Sequence, residues 1–164
     1  MTRRNTLFAL PFVTAFCLSS GGCAPKPTPS DDSRYLAEQI VPRLISWAKG
    51  SGLSLDLSKM IAGKSYDDIC FVVEYSSLKI IEQSLGSKVA TYHGDFGRYV
   101  PELKWAIVAV KDGEAHAALG DGATLNINMV PGRLCTSANR AILVRLDKPD
   151  TTIPTARLNY GELR

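Results

Sequence analysis

The sequence predicts an α+β domain: a largely antiparallel sheet with N-terminal helices packed on one face. Three observations carry this. Helical apolar spacing dominates the first part of the chain, and consecutive strand-like runs follow from Lys88 onward. Gly paired with Asp or Pro punctuates those runs, as turns between strands require. No repeated βα alternation appears, which argues against a doubly wound nucleotide-binding fold. With 164 residues the chain has room for one folded domain and little room for two.

The elements follow in order. Ser33 can cap a helix whose apolar positions Leu36, Ala37, Ile40, Val41, Leu44, Ile45 and Ala48 recur at steps of three and four, ending at Gly50. Pro42 lies inside it, deletes a hydrogen bond to Glu38, and should kink or break it. A short helix from Leu57 to Ala62 has Asp56 at its start and Gly63 at its end. Ile69 to Tyr75 is short, β-branched and continuously apolar, the pattern of a buried strand. Ser77 opens a third helical stretch that stops at Gly86. Strands are expected at Lys88–Tyr92, Lys104–Lys111, Glu114–Leu119, Ala123–Val130, Arg133–Ser137 and Arg140–Leu146. Asp112-Gly113 is the strongest hairpin signal, because a type I′ turn needs positive φ at both central residues. Trp105, Ile107 and Ala109 share one face of their strand, and Ala106, Val108 and Val110 the other, so this strand should be central and covered on both sides. The tail 149–164 is polar and proline-interrupted and reads as an irregular extension.

Composition narrows function mostly by exclusion. Hydrophobic residues make up 45% and charged residues 21%, the balance of a globular domain and not of a disordered or fibrous chain. Nineteen basic and 16 acidic residues leave +3, which falls to +1 from Cys23 onward once Arg3 and Arg4 are set aside. That is too even for bulk charge to select a partner, and nucleic acid is excluded as one.

Arg3 and Arg4 precede the apolar run Leu7 to Leu18, then Ser19, Ser20, Gly21, Gly22 and Cys23. This order is that of a secretory signal peptide, since the run is shorter than the roughly 20 residues a membrane span needs and Pro11 interrupts it. Small residues directly before Cys23 make the segment resemble bacterial lipoprotein precursors, in which cleavage precedes a cysteine whose sulfur carries diacylglycerol. The resemblance covers Met1 to about Pro29. It implies a signal peptide at 1–22, lipid on Cys23 and a membrane partner reached through that lipid. With Ala24 following the cysteine, it implies the periplasmic face of the outer membrane if the source has two membranes. The alternative is a soluble secreted or periplasmic protein cut nearby. Residues 23–33 then form the anchor and a Pro-rich tether, whose nine residues 24–32 reach roughly 28 Å if extended as polyproline II. The globular domain is expected at 34–148.

The resemblance also disposes of two cysteines, Cys17 with the signal peptide and Cys23 with lipid. Cys70 and Cys135 remain, and in an oxidising compartment they are expected to form one disulfide. A redox or nucleophilic thiol is the alternative, but no CxxC is present.

The segment Tyr92 to Glu102 is richest in chemistry. His93, Asp95, Phe96, Arg98 and Tyr99 lie on one glycine-hinged loop, and aromatics with arginine are the side chains most often found at binding hot spots. Alternatively, Tyr92 and Tyr99 simply cover the sheet edge and Arg98 pairs with a carboxylate. His93 and His116 are the only histidines. Neither HExxH nor CxxC spacing supports a metal site, so no metal is expected. His93 with Asp95 or Glu102 could act as base and orienting acid, but no serine partner stands out. No phosphate-binding loop is present and no cofactor is expected. The reading that results is a lipid-anchored envelope protein, not an enzyme, that binds another envelope component. A small periplasmic hydrolase using His93 and a purely structural lipoprotein are the alternatives.

Overall fold

The computed structural model describes residues 29–77, 79–86, 89–94, 99–130, 133–146 and 152–159. Cys23, the signal segment and the tether up to residue 28 lie outside them. The fold is α+β, with two mostly antiparallel sheets and the expected disulfide.

One long helix opens the domain. It comprises α1 (Asp31–Tyr35), a π-helical turn (Leu36–Ile40) and α2 (Val41–Lys49). Its apolar stripe is the expected one: Leu36, Ile40, Val41, Leu44 and Ala48 are buried. Pro42 does not break it. In the π turn the Val41 N–H reaches back five residues to Leu36 O, and the α-helix resumes with proline in its first turn, where a missing N–H costs nothing. The helix also starts earlier than expected. Ser30, not Ser33, is the N-cap; its Oγ accepts the Ser33 N–H at 3.0 Å, and Asp31 and Asp32 in the first turn favour the helix dipole. Residues 31–33, assigned to the tether from sequence, therefore belong to the domain.

Next come β1 (Ser54–Asp56) and α3 (Leu57–Met60), capped by Asp56, and then β2 (Asp68–Val73) and α4 (Lys79–Leu85). The remaining strands are β3 (Thr91–His93), β4 (Lys104–Lys111), β5 (Glu114–Asp121), β6 (Asn126–Ile127), β7 (Cys135–Ser137), β8 (Ile142–Leu146) and β9 (Thr155–Asn159). They divide into a five-stranded sheet, ordered β3-β5-β4-β2-β7, and a four-stranded sheet, ordered β1-β8-β9-β6. β4 is central, as its two apolar faces require. Pairing is antiparallel except for β3 with β5 and β6 with β9. The β4–β5 hairpin turns at Asp112 (φ 51°) and Gly113 (φ 77°), the type I′ geometry its sequence signals.

The main core lies between the long helix, one face of the five-stranded sheet (Ile69, Phe71, Trp105, Ile107) and the four-stranded sheet (Leu143, Ala156, Leu158). Each fully buried Leu, Ile or Phe contributes about 1.5–3 kcal/mol. A second cluster covers the opposite face, where Ile81 of α4 meets Val72, Ala106 and Val108. Cys70 and Cys135 face each other directly across β2 and β7, so the disulfide ties an edge strand to the sheet.

Two further expectations are corrected, and one strand is added. Residues 149–164 are not irregular throughout: β9 lies inside the four-stranded sheet with Ala156 and Leu158 buried, and the domain runs past 148. Pro154 stands just before the strand, and the alternation from Thr155 onward is enough to pair it with β8. The strand expected over 123–130 shrinks to Asn126–Ile127, because the Asp121 carboxylate accepts from Ala123 N and Thr124 Oγ1 and holds the chain in a turn. Finally, β1 is not anticipated from the sequence; at three residues it is below what periodicity can resolve.

Candidate functional site

The loop singled out from sequence is described only in part, and its described residues His93 and Tyr99 lie at different places along the five-stranded sheet. His93 aligns with His116, which lies opposite Ala109 on β4. Tyr99 bridges Ser77, four residues beyond Val73, which ends β2 opposite Trp105. On β4 itself, Ala109 and Trp105 are four residues apart, roughly 13 Å. Asp95, Phe96 and Arg98 lie outside the described residues.

At the first level a polar cluster joins the sheet edge to the N-terminus of the long helix. The His93 and His116 rings stack with centroids 5.1 Å apart and planes 7° from parallel. Ser30 Oγ lies 2.8 Å from His116 Nδ1, and Ser33 Oγ donates to the His93 carbonyl at 3.1 Å. His93 Nε2 is 3.4 Å from Glu114 Oε2. Asp32 closes the cluster: burial opposes its ionisation, but Lys64 Nζ and Tyr66 Oη, each 2.9 Å from Oδ1, outweigh that and hold the carboxyl below its ordinary value. Burial lowers the His116 pKa; the nearby His93 and Lys111 act in the same direction, against Asp32 and Glu114. Among the described residues, no group of three His, Cys, Asp or Glu side chains is placed to hold a metal ion.

At the second level a cleft of about 520 Å³ opens where the ends of β2 and β4 meet β6 and the start of β9. Val73, Trp105 and Ile127 form apolar walls, with Leu103 and Ile153 at the mouth. Its volume lies within the range of about 300–1,000 Å³ typical of ligand pockets. The Trp105 indole N–H is buried and has no hydrogen-bond partner among the described residues. Tyr75, Tyr99 and Leu103 are 63%, 49% and 64% exposed, a concentration of bulky apolar side chains at one end of the sheet.

The backbone there is unusual. Tyr75 (φ 61°) and Leu103 (φ 55°) are both left-handed, a conformation that costs a bulky residue on the order of 1–2 kcal/mol and is rare. Surrounding bonds hold both in place. Tyr75 N–H donates to Val100 O at 2.9 Å, Leu103 N–H to Glu74 Oε2 at 2.6 Å, and Gly122 N–H to Leu103 O at 2.8 Å. The Tyr75 phenol is shifted up, by desolvation first and then by its hydrogen bond to Glu102.

Of the residues singled out from sequence, His93 lies in the polar cluster and Tyr99 near the cleft end of the sheet, while Ser30, Tyr75, Leu103 and the cleft itself were not anticipated. The Ser30-Asp31-Asp32-Ser33 run carried a usable helix-start signal, hidden by the adjoining proline tract. Nothing in the sequence marks a left-handed tyrosine or leucine. No protein-family model, curated protein or solved structure matches the chain.

Proposed function

We propose that this chain is a lipid-anchored protein of the bacterial envelope that acts by binding another envelope component, through Leu103 at the mouth of the cleft and the exposed Tyr75 and Tyr99 at the same end of the sheet. The anchor rests on the segment ending at Cys23. The contact surface rests on one observation: two bulky apolar residues are held exposed in left-handed backbone beside an apolar cleft. Strain of this kind persists where surrounding structure over-determines it and clusters at binding sites. Exposed apolar groups in such number mark interaction surfaces more often than they mark chance.

The test has two parts. Mass spectrometry of the exported protein is expected to find acyl chains on an N-terminal Cys23; an unmodified, freely soluble chain would remove the anchor. Capture from solubilised envelopes is expected to retain a partner with the parent protein and lose it with Leu103→Asp. Equal capture by both, or by neither, would overturn the contact surface and leave the structural reading.

The hydrolase alternative gains one observation, the 2.8 Å approach of Ser30 Oγ to His116 Nδ1. Against it, the same oxygen caps the long helix, and the hydroxyl lies 3.1 Å from Ser33 Oγ. An ester substrate turned over by the parent and not by Ser30→Ala would favour catalysis; absence of turnover in the parent keeps the cluster a structural joint.

A further inference from the structure

Among the described residues, charge is unevenly placed around the cleft. Glu74 and Lys104 line it. Glu102, next in sequence to the lining residue Leu103, is exposed and close enough to Tyr75 to help raise its phenol pKa. Lys104 is 3.7 Å from Asp121, so its ammonium already has a carboxylate. Three carboxylates therefore stand against one ammonium among these residues, and the two glutamates are the unbalanced pair. The Leu103 N–H that donates to Glu74 is uncharged and does not neutralise that carboxylate.

Polar groups also reach into the apolar cavity. Asn126 and Thr155 line it beside its apolar walls. An acyl chain would leave these groups unpaired, and an anionic headgroup would meet the two glutamates. A peptide supplies what both lack: backbone carbonyls and N–H groups beside an apolar side chain.

We propose that the cleft receives a basic protein segment, with one bulky apolar side chain inserted between Leu103, Ile153 and Trp105 and flanking Lys or Arg residues paired with Glu74 and Glu102. This rests on the contact surface proposed above and adds the chemistry of the partner. It also explains how a chain of nearly even net charge can select by charge: the excess is local to the rim.

The experiment selects peptides from a random display library on the exported chain immobilised through its C-terminus. The enriched peptides are expected to carry Phe, Leu, Trp or Tyr flanked by Lys or Arg. Glu74→Gln/Glu102→Gln preserves both hydrogen-bond acceptors and is expected to weaken the selected peptides roughly tenfold at low ionic strength, the sum of two exposed ion pairs. At 1 M salt, where the screening length is about 3 Å, the parent and this variant should converge. Leu103→Asp should abolish binding, with far-UV circular dichroism confirming that it folds. Peptides that depend on Leu103 but show no basic excess, or resist the double glutamine variant, would overturn the partner's chemistry while sparing the surface. Peptides indifferent to Leu103→Asp, or no enrichment, would overturn both. Stronger binding of the parent to phosphatidylglycerol vesicles than to phosphatidylcholine vesicles would instead identify a lipid surface and refute the proposal.

Discussion

Gly120→Ala should destabilise the domain although an alanine is otherwise welcome in a strand. Gly120 lies directly opposite Trp105 across the β4–β5 ladder, and a Cβ there would stand 2.1–2.3 Å from three ring atoms of the indole. Its φ is not left-handed, so the loss of unfolded-state freedom would by itself stabilise by about 0.4–1 kcal/mol. The clash opposes this. Trp105 is 1% exposed and its ring packs 5.8 Å from that of Phe71, leaving little space to yield. Overpacking of this kind costs about 1–3 kcal/mol, so the net effect is expected to be a loss of about 1–2 kcal/mol. Urea denaturation followed by far-UV circular dichroism measures it without relying on the indole. Trp105→Leu supplies the control: it costs stability alone, but adding Gly120→Ala in that background should be neutral or stabilising. A coupling of about 1–3 kcal/mol is expected for groups in contact. Strict additivity, or a Gly120→Ala protein as stable as the parent, would refute the account of this contact and with it the rigidity of the cleft wall.

Removing the disulfide as Cys70→Ala/Cys135→Ala should cost about 4 kcal/mol, the chain-entropy value for a loop of about 66 residues, read as a shift in denaturant midpoint; a loss below about 1 kcal/mol would show that the sheet holds β7 without it. His116 binds protons less readily folded than unfolded, so its contribution to stability is complete above about pH 6.5 and is lost as pH falls below that toward its folded pKa. Denaturation at pH 7.5 and 5.0, with His116→Gln flattening the difference, checks the sign, and an NMR titration midpoint above 6.5 would contradict it. Ser30→Ala removes the acceptor for the Ser33 N–H and is expected to cost about 1 kcal/mol while displacing the His116 titration; an unchanged titration would mean the two side chains do not communicate.

Local regularities are legible in the order of the residues. The stripe from Leu36 to Ala48, the Asp112-Gly113 hairpin, the central position of β4 and the Cys70–Cys135 bond all follow from spacing, turn chemistry or redox context acting over short stretches. Each is a property the chain carries whichever way its parts are later arranged. Pro42 marks the border: the sequence shows that a hydrogen bond must be lost, and the packing of Leu36 and Ile40 on the sheet decides that a π turn absorbs it.

Placement was decided only by tertiary structure. β9 is five residues of modest apolarity at the end of a polar tail, and it becomes a strand because β8 and β6 offer partners on both sides. The candidate site follows the same rule. His93 and Tyr99 are near neighbours in sequence, yet one joins Ser33, 60 residues upstream, and the other joins the end of the sheet where Tyr75 and Leu103 lie. Left-handed backbone at Tyr75 and Leu103 runs against local preference and exists only because distant bonds impose it, so no reading of local sequence could place it. The sequence by itself determined the apolar stripe of the long helix, the β4–β5 hairpin and the covalent link, and it carries the expected address, because these depend on near neighbours. The cleft, its strained rim and its unbalanced carboxylates arose from contacts between segments far apart in the chain, which only the folded structure specifies.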